Sequence, residues 1–235
     1  MKRGTLYLIP STLGDTRPED VLPEKTLRII RSLNSFIVEE IRSARRFLRK
    51  AGFAGNFDET GLLIYNEHTR KEELSSFLSP MINGIDTGLL SEAGTPCIAD
   101  PGAEIVDIAR DAGIRIVPLA GPNSILLALM ASGFNGQNFT FHGYLPIDRK
   151  ERQNKIRDLE RAALERDQTQ IFIETPYRNK AIFEALINCC KPSSRLCIAM
   201  DLTLESESIR VYSINEWRIK NEQLPKKPAV FLLYR

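Results

Sequence analysis

The chain has 235 residues, 43% hydrophobic and 26% charged, and its 32 Lys and Arg against 30 Asp and Glu leave a formal charge of +2. That composition fits one or two folded domains and excludes a disordered, collagen-like or coiled-coil chain and a wholesale polycation, though not a local patch for nucleic acid. No apolar run reaches the roughly 20 residues of a membrane span, and the N-terminus carries no signal-peptide pattern, so a cytoplasmic protein is expected.

Short runs of branched apolar residues alternate with longer amphipathic stretches, the pattern of βα units on a largely parallel sheet. Thr5 to Ile9 reads as the first strand, stopped by Pro10. A helix follows from Pro23 to Leu33, then a strand at Phe36 to Val38 and a basic helix from Arg42 to Lys50. Leu62 to Tyr65 is a third strand, and Lys71 to Ile82 one continuous helix. Strands at Thr87 to Leu90 and Arg115 to Pro118 bracket a helix over Ala103 to Ala112. Between them lies SEAGTPCIADPG, Ser91 to Gly102, where the density of Gly and Pro demands a sharp turn or a close backbone approach.

PLAGPNS, Pro118 to Ser124, has the composition of a junction, dividing the chain into domains 1–118 and 119–235. Beyond it come a helix over Ser124 to Ser132, a strand at Phe139 to Gly143, a charged helix over Arg149 to Glu165 and a strand at Gln170 to Ile173. A helix near Asn179 to Cys190 precedes strands at Leu196 to Met200, Ile209 to Tyr212 and Ala229 to Leu233. Short links among these late strands predict a mixed sheet in this half.

The signatures of Rossmann dehydrogenases, P-loop enzymes, zincins and α/β-hydrolases are missing. What stands out instead is a series of strand-end loops: IPSTLGD, VEEIR, SEAGTPCIADPG, AGPNS and FIETPYR. Ligands settle at the carboxyl ends of strands in open α/β sheets, so these loops predict a cleft between two domains. The four cysteines, Cys97, Cys189, Cys190 and Cys197, lack CxxC spacing and a histidine partner set, which favours reduced packing thiols and no metal.

The ordered blocks SEAGTPCIADPGAEIV, IVPLAGPNS, FTFHGYLP, FIETPYR and DLTLESE resemble the tetrapyrrole-methylase-like S-adenosylmethionine-dependent methyltransferases. Within them the chain is most similar to the branch that methylates a cytidine 2′-hydroxyl of bacterial small-subunit rRNA. The resemblance implies two α/β domains with S-adenosylmethionine lodged in a cleft between them, a homodimer and no metal. It also implies that Gly94, Thr95, Glu92 and Ile98 of the signature loop approach the cofactor. Pro10, Asn123, Ser124, Glu174, Thr175 and Pro228 would enclose the rest. The acceptor side would be lined by Glu39, Arg42 and Glu92, the candidate catalytic residues, with small-subunit RNA as partner.

The chain departs from that branch at several points. Its first loop reads Ser11-Thr12-Leu13-Gly14-Asp15 in place of TPIGNL, Glu39-Glu40-Ile41-Arg42 replaces EDTR, and Glu92 replaces the aspartate of DAGTP. His142 precedes the GYLP block, where the branch usually has Glu, and the ELTK block becomes Asp201-Leu202-Thr203-Leu204 with Met200 in place of an arginine. Two cations suited to phosphate are thereby lost, as in a diverged paralogue. A small acceptor such as a tetrapyrrole, and a noncatalytic ribosome-binding module, are the alternatives.

Each feature also has a plain structural reading. An acid near the Arg42 helix would cap it, and Asp100 before Pro101 would be an N-cap. His68 would be a solvated loop histidine if it does not touch substrate, and His142 a hydrogen-bonded strand residue. Two basic stretches, Arg42 to Lys50 and Arg149 to Arg157, are either solvated faces or phosphate-tracking surfaces.

Overall fold

Strands whose side chains are apolar on both faces must be covered on both, and this chain builds two sheets around such strands. The computed structural model describes residues 2–220 and 223–235. They divide into two compact units, Met1–Asn123 and Ser124–Arg235, with the division inside PLAGPNS.

Unit 1 contains β1 (Thr5–Ile9), α1 (Pro18–Val21), α2 (Glu24–Ser32), β2 (Ser35–Val38), α3 (Ile41–Lys50) and β3 (Gly61–Ile64). A 3-10 helix (Lys71–Leu78), α4 (Ser79–Ile82), β4 (Thr87–Leu90), α5 (Ala103–Asp111) and β5 (Arg115–Pro118) complete it. The sheet runs β3-β2-β4-β1-β5 and every pairing is parallel. β2 and β4 are buried along their whole length, as inner parallel strands require. Leu27 and Ile30 of α2 and Ala44 and Leu48 of α3 pack with Ile9, Phe36 and Leu90 into one core.

All strands of a parallel sheet point the same way, so the loops that follow β1, β2, β4 and β5 emerge at one edge. β4 lies between β1 and β2, which puts the signature loop at the middle of that edge.

The helix expected over 71–82 is two pieces. Pro80 has no N–H to donate to Ser76, and the Ser79 N–H bonds to the Ser76 carbonyl in the tighter 3-10 pattern. α1 is a single turn that opens on Pro18, too short to carry periodicity.

Unit 2 contains α6 (Ser124–Ser132), β6 (Phe139–Tyr144), α7 (Arg149–Arg166), β7 (Thr169–Glu174) and α8 (Asn179–Cys189). β8 (Arg195–Met200), β9 (Ser208–Ser213), α9 (Ile214–Lys220) and β10 (Ala229–Tyr234) follow. Its order is β6-β7-β10-β8-β9; β6 and β7 are parallel and the other pairs antiparallel, the expected mixed sheet. β10 is the central strand, and Phe231 stacks on Phe172 of β7 with ring centroids 5.5 Å apart.

α9, which carries only Ile214 and Trp217 inward, is stabilised by a capping box. Glu216 Oε2 accepts from the Ser213 N–H at 2.7 Å, and the Glu216 N–H donates to Ser213 Oγ at 3.2 Å. Trp217 Nε1 donates to the Leu196 carbonyl at 3.0 Å, so its polar edge is satisfied inside the core.

Cys190 and Cys197 are buried in unit 2. Burial pushes both thiols up, Cys197 to about 12, and the Glu160 carboxylate adds to the effect on Cys190. Glu160 is itself buried but satisfied, accepting from the Lys191 N–H at 2.6 Å and from Ser194 Oγ. No helix among the described residues is long and apolar enough to cross a membrane.

Candidate active site

In unit 1 the site is built from four strand-end loops. The signature loop turns through left-handed backbone at Gly94 (φ +77°), Cys97 (66°), Ala99 (56°) and Gly102 (126°). The two non-glycine positions carry strain that neighbouring contacts must hold. The first part of the loop is tied to its neighbours: the Ser11 N–H donates to the Gly94 carbonyl at 2.9 Å, and Asn123 Nδ2 donates to Thr95 Oγ1 at 2.6 Å. A Cβ on Gly94 would come within 3.0 Å of Leu13 and 3.4 Å of the Pro122 carbonyl, so the backbone is wedged between the loops after β1 and β5. A Cβ on Gly121 would lie 2.3 Å from Pro10 Cγ, so these two loops touch each other directly. Pro10, Gly94, Thr95 and Asn123 are thus brought together, while Ile98 is exposed on the same loop.

Three carboxylates of unit 1 lie close enough to act on one another. Glu39 ends β2, while Glu92 and Asp100 lie near the two ends of the signature loop. Burial, then the charges of Glu92 and Glu67, raise the acid range of Glu39. Asp100 is pushed to about 6, mainly by burial, with Glu39 and Glu92 adding to it against an opposing Ser91 hydroxyl. Glu92 is exposed and accepts from Ser43 Oγ at 2.7 Å, which ties α3 to the signature loop.

The capping expectation moves by one residue. Glu40, not Glu39, closes the α3 N-terminus, accepting from the Arg42 and Ser43 N–H groups at 2.9 and 2.7 Å. Glu39 is therefore free to face the carboxylate cluster. The Arg42 side chain is exposed, and the carboxyl its charge acidifies is that of Glu40. Asp100 is not a cap either: Gly102 occupies the N-cap position of α5, with φ far from what an L side chain adopts.

Tyr65 O–H, pushed up to about 12 by burial and by its bond to Glu104, donates to that carboxylate at 3.0 Å and joins the end of β3 to α5. Cys97 is half-buried with its thiol pushed up by burial, in keeping with packing. His68 is exposed beside Glu67 on its polar loop.

In unit 2 the FIETPYR turn is locked internally. Glu174 is fully buried at its side chain; its Oε1 accepts from the Thr175 N–H at 2.8 Å, and Oε2 pairs with Arg178 at 3.1 Å. Arg178 in turn donates to the Leu145 carbonyl at 2.7 Å. Oε1 is thus bonded within the turn, while the buried Oε2, though paired in charge with Arg178, makes no hydrogen bond among the described residues. The segment before β10 is fixed by Asn179 Nδ2, which donates to the Lys227 carbonyl at 2.6 Å and carries Pro228 with it. Lys227 also pairs with Asp201, which holds left-handed backbone and accepts from Ser206 Oγ at 2.7 Å. Ser124 opens α6. His142 shares a 2.7 Å hydrogen bond with Gln170, the strand role expected for it.

Sequence reasoning missed Ser43, Arg178 and Lys227, whose partners are distant or on another element. Only Arg178 carried a signal, its i,i+4 spacing from Glu174.

The residues of unit 1 fit a sulfonium cofactor. The loop from Ser91 to Gly102 holds no Lys or Arg, two of its side chains are carboxylates, and its left-handed turns leave backbone next to the site without a bulky side chain. The profile of the Tetrapyrrole (Corrin/Porphyrin) Methylases matches residues 6–217. The chain belongs to this family of methyltransferases, which use S-adenosylmethionine.

Among its relatives are proteins named Ribosomal RNA small subunit methyltransferase I. That of Pseudomonas aeruginosa is 30% identical over 99% of this chain and 79% of its own length. That of Bacillus subtilis is 32% identical over 91% of this chain and 68% of its own length. Solved structures share the fold: the methyltransferase CobJ, with a TM-score of 0.65 and 16% identity, covering 99% of this chain and 94% of that one. Another is uroporphyrin-III C-methyl transferase from Thermus thermophilus, solved with S-adenyl homocysteine, at TM-score 0.60 and 17% identity over 99% and 98% of the two chains.

Proposed function

We propose that the protein methylates a ribose 2′-hydroxyl of small-subunit ribosomal RNA. The observation that carries this reading is the 30% identity, over 99% of the chain, to a Ribosomal RNA small subunit methyltransferase I. When bound, S-adenosylmethionine supplies a methyl group on a cationic sulfur, which becomes a neutral thioether as the ribose oxygen takes the methyl and loses its proton.

Gly94, Thr95, Pro10, Ile98 and Asn123 of unit 1 hold the cofactor, with Ser124, Glu174, Thr175 and Pro228 of unit 2. Aligning nucleophile and methyl group is most of what such a displacement requires, and the bonds from Ser11 and Asn123 keep the loop in one shape for it. Asp100 takes the hydroxyl proton: a carboxyl raised to about 6 is a better base than an ordinary carboxylate and is still ionised at neutral pH. Burial raises that value and the charges of Glu39 and Glu92 add to it, with Ser43 holding Glu92 in place.

The protein acts in the cytoplasm as a homodimer. Large apolar side chains left in solvent by unit 2, among them Met130 at 78% and Ile147 at 80% exposure, support the dimer.

A tetrapyrrole acceptor is favoured by one feature, the uncharged Met200 and Leu204 in place of the branch's two cations. Purified protein incubated with labelled S-adenosylmethionine and undermethylated small subunits tests the choice. Label recovered as 2′-O-methylribose is the expected result. Transfer to a tetrapyrrole with none to RNA would overturn the RNA assignment.

A further inference from the structure

We propose that the exposed face of α3 is the RNA-docking surface of unit 1, binding the phosphate backbone through Arg45, Arg46, Arg49 and Lys50 and leading it to the carboxylate cluster. This rests on the RNA reading above and deepens it.

α3 buries Ala44 and Leu48, one turn apart, and so turns Arg42, Arg45, Arg46, Arg49 and Lys50 outward, all of them exposed. Three surface arginines elsewhere are paired with acids one turn away, Arg17 with Asp20, Arg110 with Asp107 and Arg161 with Asp158. α3 contains no Asp or Glu. Among the described residues, none of its four arginines forms an ion pair, although Arg42 acts on Glu40 and Arg46 on Asp15 through their charge; Lys50 is paired with Asp15.

The guanidinium groups are nevertheless positioned. Arg49 lies 4.2 Å from the centroid of Phe57 and Arg45 5.3 Å from the same ring, which itself rests 5.4 Å from Phe53. Arg49 Nη1 donates to the Phe53 carbonyl at 2.7 Å. Stacking on a ring fixes the plane of a guanidinium while leaving most of its N–H donors at the edge, where phosphate oxygens are bound. A solvated charge face needs no such ledge.

The placement gives the surface a direction. The first turn of α3 is bonded to the signature loop through Ser43 and Glu92, and its last residue to the loop after β1 through Lys50 and Asp15. Ten residues span about 15 Å, some four nucleotides of a helical strand. The second basic helix, α7, lacks this arrangement. Its exposed cations are interspersed with Glu151, Asp158 and Glu165, and Arg161 is paired with Asp158.

The test is filter binding of the whole protein to deproteinised small-subunit rRNA over a range of salt, with S-adenosylmethionine affinity measured by calorimetry for each variant. Arg45→Gln/Arg49→Gln removes the stacked pair. Arg45→Gln/Arg46→Gln keeps the Arg49 bond to Phe53 and guards against a folding defect. Lys150→Gln/Arg157→Gln on α7 changes net charge equally.

Both α3 variants are expected to bind RNA about 10-fold more weakly at ~150 mM salt, with a salt slope shallower by roughly 1 to 2 and cofactor affinity unchanged, while the α7 variant binds as wild type. Unchanged RNA affinity and slope in the α3 variants, or an equal loss in the α7 variant, would overturn the proposal. RNA binding that depends on α3 without methyl transfer to small subunits leaves this surface standing and removes the function. Methyl transfer and RNA affinity indifferent to α3 do the reverse.

Discussion

Asp100 illustrates how one side chain couples stability to chemistry. With its acid range raised from 3.8 to about 6, the folded protein holds a proton between those values that the unfolded chain has released. Its contribution to stability therefore falls as pH rises through that window. Asp100→Asn, which mimics the protonated form, should stabilise the protein at pH 8 by about 1 kcal/mol after allowance for the solvent that still reaches the group, with little gain at pH 3; thermal melts at both pH values decide it. The same change should lower kcat by about 100-fold or more with cofactor affinity retained, and wild-type kcat/KM should climb with pH through about 6 to a plateau. A flat profile, or an active Asn variant, would assign the proton to another group. Thr95→Arg places a cation and a long side chain where the loop offers small groups and acceptor oxygens. Calorimetric binding of S-adenosylmethionine should disappear while the circular dichroism spectrum is kept.

Elements depend on their ends. Glu40 closes α3 with two backbone bonds, and its carboxyl is held below the usual range by them. A lowered acid range stabilises the fold above the unfolded value near 4.5, and the benefit is lost as pH falls through the folded one. Glu40→Ala should thus lower the melting temperature at pH 7 and leave it nearly unchanged at pH 3. The signature loop has a different dependence. Gly94→Ala puts a Cβ on backbone at φ +77° and 3.0 Å from Leu13, a cost of about 1 to 2 kcal/mol in denaturant unfolding together with weaker cofactor binding. Most element positions were legible because buried strands and helical stripes leave a period in the sequence. The 3-10 segment at 71–78 and the seven-residue α9 were not, because one follows from a missing N–H at Pro80 and the other from a Ser213–Glu216 cap that holds just two buried side chains.

At the scale of the whole molecule the cores carry the stability. Phe231, buried at the middle of the second sheet and stacked on Phe172, should cost about 3 to 5 kcal/mol when changed to Ala, read from urea unfolding. Sedimentation should give a dimer for the wild type, and Met130→Glu with Ile147→Glu should shift it toward monomer; a wild-type monomer would remove the dimer from the proposal. The sequence by itself determined the α/β class, every described strand, the family and the Gly- and Pro-rich strand-end loops, because hydrophobic period and Gly-Pro motifs are local properties of the chain. It could not assign the carboxylates. Glu40 rather than Glu39 caps α3, Glu174 is paired with Arg178, and Asp100 is raised by burial beside Glu39 and Glu92. Only the tertiary structure decided their pairing and acidity, since both depend on which charges and how much water surround a group, and those neighbours come from distant parts of the chain.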